Sequence, residues 1–96
     1  MATRDSRREQ NQKRFRKGNE TLHDVVEDIV PEELPVRFLC ECADDGCLGD
    51  VNVTLSAWES VAARPNHYLM LAGHQHSEGE QVVGHVGEYE IARKPE

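Results

Sequence analysis

All three cysteines of this 96-residue chain lie within eight positions, in the segment FLCECADDGCLGD. Cys40 and Cys42 are two residues apart, so on an extended segment both sulfurs point to the same face. The Asp and Gly residues that follow favour a tight turn, which brings Cys47 back toward the first two. Three converging thiolates repel one another, and a soft divalent cation removes that repulsion. The spacing therefore indicates a metal site rather than three unrelated buried thiols.

A tetrahedral zinc site needs a fourth ligand, and the chain offers five histidines. His74 is favoured because it follows a predicted strand and a glycine, where a loop can deliver its side chain to the cysteines. His76, two residues later, is the rival. His23, His67 and His85 belong to other predicted elements or their ends. An iron–sulfur cluster with three cysteines and one histidine is the chemical alternative, and zinc is preferred because the histidine lies 27 residues beyond the third cysteine.

Charge is distributed unevenly along the chain, whose net charge is −7. Residues 1–20 carry seven basic and three acidic side chains, a net of +4, and the remainder carries four basic and fifteen acidic ones, a net of −11. An acidic body repels nucleic acid, so only the basic arm is suited to contact it. The sequence contains no recognisable signal peptide or transmembrane segment, so we expect a cytoplasmic protein without membrane contact.

The pattern of apolar residues predicts a single α+β domain. Its expected parts are a long N-terminal helix, then a small, mostly antiparallel sheet with one short helix and a zinc knuckle. Residues 1–14 are predicted to be a basic flexible arm, residues 15–30 an amphipathic helix, and residues 36–94 the zinc-stabilised α+β domain. The helix carries an apolar stripe at helical spacing, formed by Phe15, Leu22, Val25, Val26 and Ile29.

Within the predicted domain, alternation and turn residues define the smaller elements. Strands are expected at 36–42, 50–55 and 67–73. A hairpin is expected over 80–94, with Gly87 at its turn. The short helix is predicted to begin at a capping box of Ser56 and Glu59 and to stop before Pro65.

The segment FLCECADDGC, followed by VNVTLSAWESVAARPNHYLMLAGH, resembles a group of short uncharacterised proteins common in actinobacteria and related bacteria. The match runs without gaps from about Phe38 to His74, and RREQNQKRFRKGNETL resembles the helix of that group more loosely. Trp58 stands where the pattern usually has Tyr, Tyr68 where it usually has Phe, and Ala62 where it often has Arg. The resemblance implies no activity. It implies a metal site with three cysteines and one histidine: Cys40, Cys42, Cys47 and His74.

A sphere of three cysteines and one histidine leaves no position for an activated water, so no enzymatic activity is predicted. We expect a small zinc-binding adaptor or regulatory protein that contacts a protein partner through the apolar stripe, although the stripe is equally suited to packing on the chain's own body. One alternative is a nucleic-acid-associated protein that places its basic arm on phosphates. Another is a thiol-based redox or zinc sensor.

Overall fold

The computed structural model describes residues 4–42, 44, 47–74 and 79–95, with side chains from residue 10 onward. It confirms the predicted α+β fold, with a long N-terminal helix, a short second helix and small antiparallel sheets. The elements in chain order are α1 (Arg4–Val26), β1 (Val36–Leu39), β2 (Asp50–Val53), α2 (Leu55–Ala62), β3 (His67–Met70), β4 (Gln81–Val86) and β5 (Tyr89–Arg93).

The strands form two sheets rather than the one that the sequence predicts. β1 pairs with β2 in a two-stranded sheet, and the other three strands form a second sheet in the order β3-β5-β4. The predicted strand over 36–42 is divided between them. Its ladder with β2 ends at Leu39, and the Glu41 N–H then donates to the Leu69 carbonyl of β3 at 2.9 Å. The segment after β1 therefore connects the two sheets.

The hairpin of β4 and β5 turns at Gly87, as predicted. Val86 pairs with Tyr89, so only two residues form the turn, and Gly87 has a φ of 58°. Glycine adopts this left-handed conformation without the steric cost that a Cβ atom brings. The glycine at the predicted turn is therefore explained by the positive φ that the turn requires there.

The N-cap of helix α2 lies two residues before the predicted capping box. Its N-cap is Thr54, whose hydroxyl accepts from the Ala57 N–H at 3.2 Å, so the assignment to Ser56 and Glu59 is wrong. The reason is that β2 ends at Val53, which makes Thr54 the first residue outside the ladder, with an extended backbone suited to a cap. The buried side chains of the helix follow the helical spacing: Leu55, Trp58 and Val61.

The main core lies between the β1–β2 sheet, α2 and β3. It consists of Val36, Phe38, Val51, Val53, Leu55, Trp58, Val61 and Leu69. The rings of Phe38 and Trp58 stack at a centroid distance of 5.1 Å and an interplanar angle of 9°. A second, smaller cluster contains two of the cysteines and consists of Cys40, Cys42, Tyr68, Met70 and Ala92. The candidate metal ligands are therefore continuous with the interior of the domain.

Helix α1 has different bounds from the predicted arm and helix. Residues 4–14, expected as part of a flexible arm, are helical, and the helix ends at Val26 rather than at residue 30. Residues 1–3 lie outside the described residues, and the mobility of the arm stays a prediction.

The apolar stripe of α1 is only partly used for packing. Leu22 and Val26 are partly buried against the main core, whereas Val25 is 61% exposed and Ile29, beyond the helix, is 75% exposed. Phe15 is half-buried. The most deeply buried side chains of the helix are instead polar: Asn11, Gln12 and Asn19. The helix therefore docks on the body largely through polar contacts.

Candidate metal centre

The four residues predicted as ligands lie together. The three Sγ atoms of Cys40, Cys42 and Cys47 and a ring nitrogen of His74 all lie within 4.8 Å of one another. His74 Nδ1 is 3.6 Å from Cys40 Sγ and 3.5 Å from Cys47 Sγ. In a tetrahedral zinc site with ordinary Zn–S and Zn–N bonds, a sulfur and a nitrogen are about 3.6 Å apart. These residues are close enough to bind one metal ion.

Two of the ligand segments are shaped by short local hydrogen bonds. The Cys47 N–H donates to the Asp44 carbonyl at 3.2 Å, which closes the turn that brings Cys47 back. The His74 N–H donates to the Leu71 carbonyl at 3.3 Å after β3, and Gly73 in this turn has a φ of 78°. Residues 43, 45 and 46 of the predicted cysteine turn lie outside the described residues, and so does the rival ligand His76.

The cluster has a buried side and a more open side. Cys40 and Cys42 are 2% and 0% exposed, while Cys47 and His74 are half-buried. The Leu71 N–H donates to Cys40 Sγ at 3.2 Å, the kind of backbone donor that stabilises a thiolate. The cluster can thus hold negative charge on its inner side while its outer side stays within reach of solvent.

Without a metal, the thiols shift one another's acidity. The hydrogen bond between Cys42 and Cys40 lowers the pKa of Cys40 and raises that of Cys42, because it stabilises the Cys40 thiolate through the Cys42 proton. Burial raises the pKa of Cys47. A metal that binds all three sulfurs as thiolates therefore has to displace protons from the cluster.

Two other histidines make contacts elsewhere. His67 Nδ1 is 2.8 Å from the Pro65 carbonyl. His23 Nε2 on α1 is 2.5 Å from Glu59 Oε1 on α2, and its ring lies 5.4 Å from that of Trp58. The hydrogen bond to Glu59 is the main reason that the pKa of His23 is raised. Asp24 Oδ1, which lies 3.3 Å from His23 Nδ1, raises it further. His23 thus links the two helices.

The sequence-based prediction does not include one residue beside the site, the glutamate between the first two cysteines. Glu41 is completely buried. Its Oε1 accepts from Arg16 Nη2 at 2.9 Å and from the Leu69 N–H at 3.0 Å. Its Oε2 accepts from Arg16 Nε at 3.0 Å, Asn19 Nδ2 at 2.8 Å and Trp58 Nε1 at 3.1 Å. Five donors therefore surround one buried carboxylate.

Arg16 is the main counter-charge of this carboxylate. Besides its two bonds to Glu41, its guanidinium donates to the His67 carbonyl. The guanidinium carbon lies 4.7 Å from the centroid of the Tyr68 ring and 5.9 Å from that of Trp58. Such positions over aromatic faces favour a cation. Arg16 is therefore held by hydrogen bonds, charge and ring contacts together.

Asn19 and Gln12 complete the polar face of α1. Asn19 Nδ2 donates to the Leu39 carbonyl at 3.0 Å and its Oδ1 accepts from the Leu39 N–H at 2.7 Å, so the amide pairs with the backbone as a neighbouring strand does. Gln12 Nε2 lies 3.4 Å from the Glu41 carbonyl oxygen. A Cβ atom on Gly18 would lie 3.1 Å from Cδ1 of the Leu39 side chain, a tight contact with the end of a partly exposed side chain.

Two sequence signals point to this arrangement once they are combined. On an extended segment, a residue between two inward-facing cysteines projects to the opposite face, and a charged side chain there needs partners. Gln12, Arg16 and Asn19 recur at helical spacing, and Arg16 and Asn19 supply the partners on α1, while Gln12 reaches the backbone carbonyl of Glu41. The apolar stripe of α1 gives no indication of this polar face, because the polar residues lie at other positions of the helix.

Comparisons with protein-family models, curated proteins and solved structures returned no match. Within the described part of the chain, no helix is both long enough and apolar enough to span a membrane.

Proposed function

We propose that this chain is a small, non-enzymatic zinc-binding protein with an adaptor or regulatory role. The observation that carries the proposal is the convergence of Cys40, Cys42, Cys47 and His74, whose ligand atoms all lie within 4.8 Å. This close set suits one tetrahedral ion, whereas a cluster of several irons would spread its ligands further apart. Three sulfurs and one nitrogen are a ligand set that zinc uses in structural sites. A reducing cytoplasm would keep the thiols available.

A structural role for the ion follows from the ligand number. Four protein ligands fill the tetrahedral positions, while a catalytic zinc keeps one for water or substrate. The ligands also come from three segments that are distant along the chain: the end of β1, the loop before β2 and the loop after β3. One ion would tie these segments together and stabilise a domain with a small core.

The partner-contact element in this proposal is α1 with the segment after it. Leu22 and Val26 already pack on the main core. The remaining contact surface consists of Val25 and Ile29, which are 61% and 75% exposed, with the half-buried Phe15 further along the helix. Exposed apolar side chains on a helix are suited to a groove on another protein.

The zinc proposal is tested by native mass spectrometry of the purified protein. We expect one zinc per chain and its loss in Cys47→Ser. His74→Ala should weaken zinc binding, whereas His85→Ala on the exposed side of β4 is the matched control and should not. His76→Ala, the rival ligand, should have a smaller effect than His74→Ala. A purified protein that binds no zinc, or a His74→Ala variant that binds it as tightly as His85→Ala, contradicts the proposal.

The partner proposal needs a separate measurement. Proteins captured from the native cell by the wild-type chain should be lost with Ile29→Asp and retained with Asp28→Ala, its exposed neighbour. Retention of the same proteins by Ile29→Asp would show that this segment is not the contact element.

A zinc or thiol sensor is a second candidate, favoured by the exposure of the outer ligands. Cys47 and His74 are half-buried, so an oxidant can reach the cluster from solvent. Dilute hydrogen peroxide should then release zinc, and a thiol reductant should restore binding. Zinc that stays bound under these conditions argues for the purely structural site.

A further inference from the structure

We propose that Glu41 couples metal binding to the docking of α1, so that the helix is held on the body most firmly when Cys40 and Cys42 hold the metal. This inference rests on the zinc site proposed above and concerns its regulation. It assigns a role to the contacts of Arg16, Asn19 and Glu41, which the metal site alone does not explain.

Glu41 lies between two of the candidate ligands in the sequence. Cys40 and Cys42 project to one side of the extended segment, toward the metal cluster, and the intervening side chain projects to the other side. The backbone here is fixed by two bonds, from Cys40 N–H to the Gly49 carbonyl at 3.2 Å and from Glu41 N–H to the Leu69 carbonyl at 2.9 Å. A rotation of this segment therefore moves the sulfurs and the carboxylate together.

The Glu41 carboxylate takes most of its hydrogen-bond donors from α1. Of the five side-chain bonds that Glu41 accepts, Arg16 supplies two and Asn19 supplies one. A buried carboxylate that loses its donors is strongly disfavoured. The full set of bonds thus forms only when the helix and the segment after β1 are both in place.

The other contacts of α1 with the body are mainly polar. Asn19 also pairs with the backbone of Leu39, one residue before the first ligand cysteine. Leu22 and Val26 are only partly buried against the core. These polar contacts form only when residues 39–41 are in the position that the structure shows.

Metal loss acts on this segment from its other side. Without a shared cation, the three sulfurs are no longer drawn to one point, and Cys40 and Cys42 can move apart. The carboxylate then loses its alignment with Arg16 and Asn19, and the helix loosens. This would free the covered side of α1, including Leu22 and Val26, for a protein partner. Metal loading would thereby control access to the covered side of α1, whereas Val25 and Ile29 are exposed in the docked helix as well.

Coupling between two sites is reciprocal, which provides the decisive test. If zinc favours docking of α1, a variant that weakens docking must weaken zinc binding, although the substituted residue touches no ligand. We expect Arg16→Gln to raise the zinc dissociation constant about tenfold, within the usual range for coupled sites. The constant is measured by competition with a chelator of known affinity. Arg14→Gln, the same change on the exposed side of the helix, should leave it unchanged.

A second variant covers the case in which Arg16→Gln does not fold. Asn19→Ala removes one donor to Glu41 and both bonds to the Leu39 backbone but keeps the Arg16 pair, so it should weaken zinc binding in the same direction. Zinc dissociation constants that stay within about twofold of that of Arg14→Gln, for every folded variant of Arg16 and Asn19, would overturn the coupling.

Hydrogen exchange of the wild-type protein gives an independent readout. After chelation, amides of α1 should exchange at least about tenfold faster, with a smaller change in β3 and β5. Unchanged protection of α1 after zinc removal would overturn the coupling. The two proposals fail separately: absence of zinc binding defeats the proposed function, while normal zinc binding that is insensitive to Arg16 defeats only the coupling.

Discussion

The guanidinium of Arg16 donates to both carboxylate oxygens of Glu41, at 3.0 Å to Oε2 and 2.9 Å to Oε1, and the Glu41 side chain is wholly buried. This fork-like pair joins the N-terminal helix to the residue that separates two candidate metal ligands. Such a geometry is specific to arginine, since its planar donors match the two oxygens of a carboxylate. The pair fixes where α1 lies on the body.

Arg16→Gln should lower the free energy of unfolding by about 3–5 kcal/mol, because it leaves a buried carboxylate without its counter-charge. Arg14→Gln should change it by less than about 0.5 kcal/mol, since Arg14 is exposed. Urea denaturation of the zinc-saturated proteins measures both values. Equal midpoints for the two variants would mean that the buried pair does not stabilise the fold.

The contact between His23 and Glu59 predicts a pH-dependent contribution to stability. The pKa of His23 is raised in the folded protein above its ordinary value of 6.5, mainly by the hydrogen bond to Glu59. The protonated histidine stabilises the fold, and this contribution is fully present when the pH is below the pKa of His23 in the unfolded chain. The contribution disappears as the pH rises through the pKa of His23 in the folded protein. The difference in melting temperature between wild type and His23→Gln should therefore be larger at pH 6 than at pH 9.

Glu59→Gln is the matched test of the cause, because it removes the partner and keeps the histidine. Its difference from wild type should shrink over the same range of pH. A difference for His23→Gln that grows toward pH 9 would contradict the assignment. Because Glu59 is half exposed, salt should weaken the effect.

Free zinc should raise the unfolding free energy of the wild-type protein by about 1.4 kcal/mol per tenfold increase in its concentration, once the site is saturated. The reason is that the four ligands come together only in the folded chain. Differential scanning fluorimetry in zinc buffers measures this dependence. Cys47→Ser should lose most of it, and a dependence of equal slope in Cys47→Ser would point to zinc binding elsewhere.

Gly87→Ala should destabilise the fold by about 1 kcal/mol, because the residue has a φ of 58° at the turn of β4 and β5. Gly84→Ala is the control within the same hairpin. A Cβ atom at Gly84 would lie 3.6 Å from Ile91, an ordinary contact distance. Equal losses in the two variants would mean that the turn conformation is not the cause.

The sequence predicted the fold class and the residues that come together at the candidate metal centre. Part of this information is local: Cys40 and Cys42 share a face by alternation, and Gly87 marks a turn. The approach of His74 is long-range, and the sequence favoured it only through its position after a predicted strand and a glycine. The N-cap of α2 was misplaced by two residues, because either Thr54 or Ser56 can serve and the end of β2 decides between them.

The role of α1 could not be predicted from periodic apolar residues. Its docking depends on a long-range match between Gln12, Arg16 and Asn19 on the helix and Glu41 on the body, which a search for apolar stripes cannot detect. The division into two sheets is likewise a tertiary result. The β1–β2 ladder ends at Leu39, and the chain then bonds to β3 through Glu41 and Leu69, a change of partner that no local pattern specifies.

Trp58 is the single tryptophan of the chain, and its surroundings give the protein an intrinsic optical reporter. The indole is 4% exposed, stacks on Phe38, and donates to the same carboxylate oxygen as Arg16 and Asn19. Its fluorescence emission should therefore be blue-shifted in the docked state and move to longer wavelength when water reaches the ring. Movements of the N-terminal helix can thus be followed in unlabelled protein, in real time, by exciting one side chain.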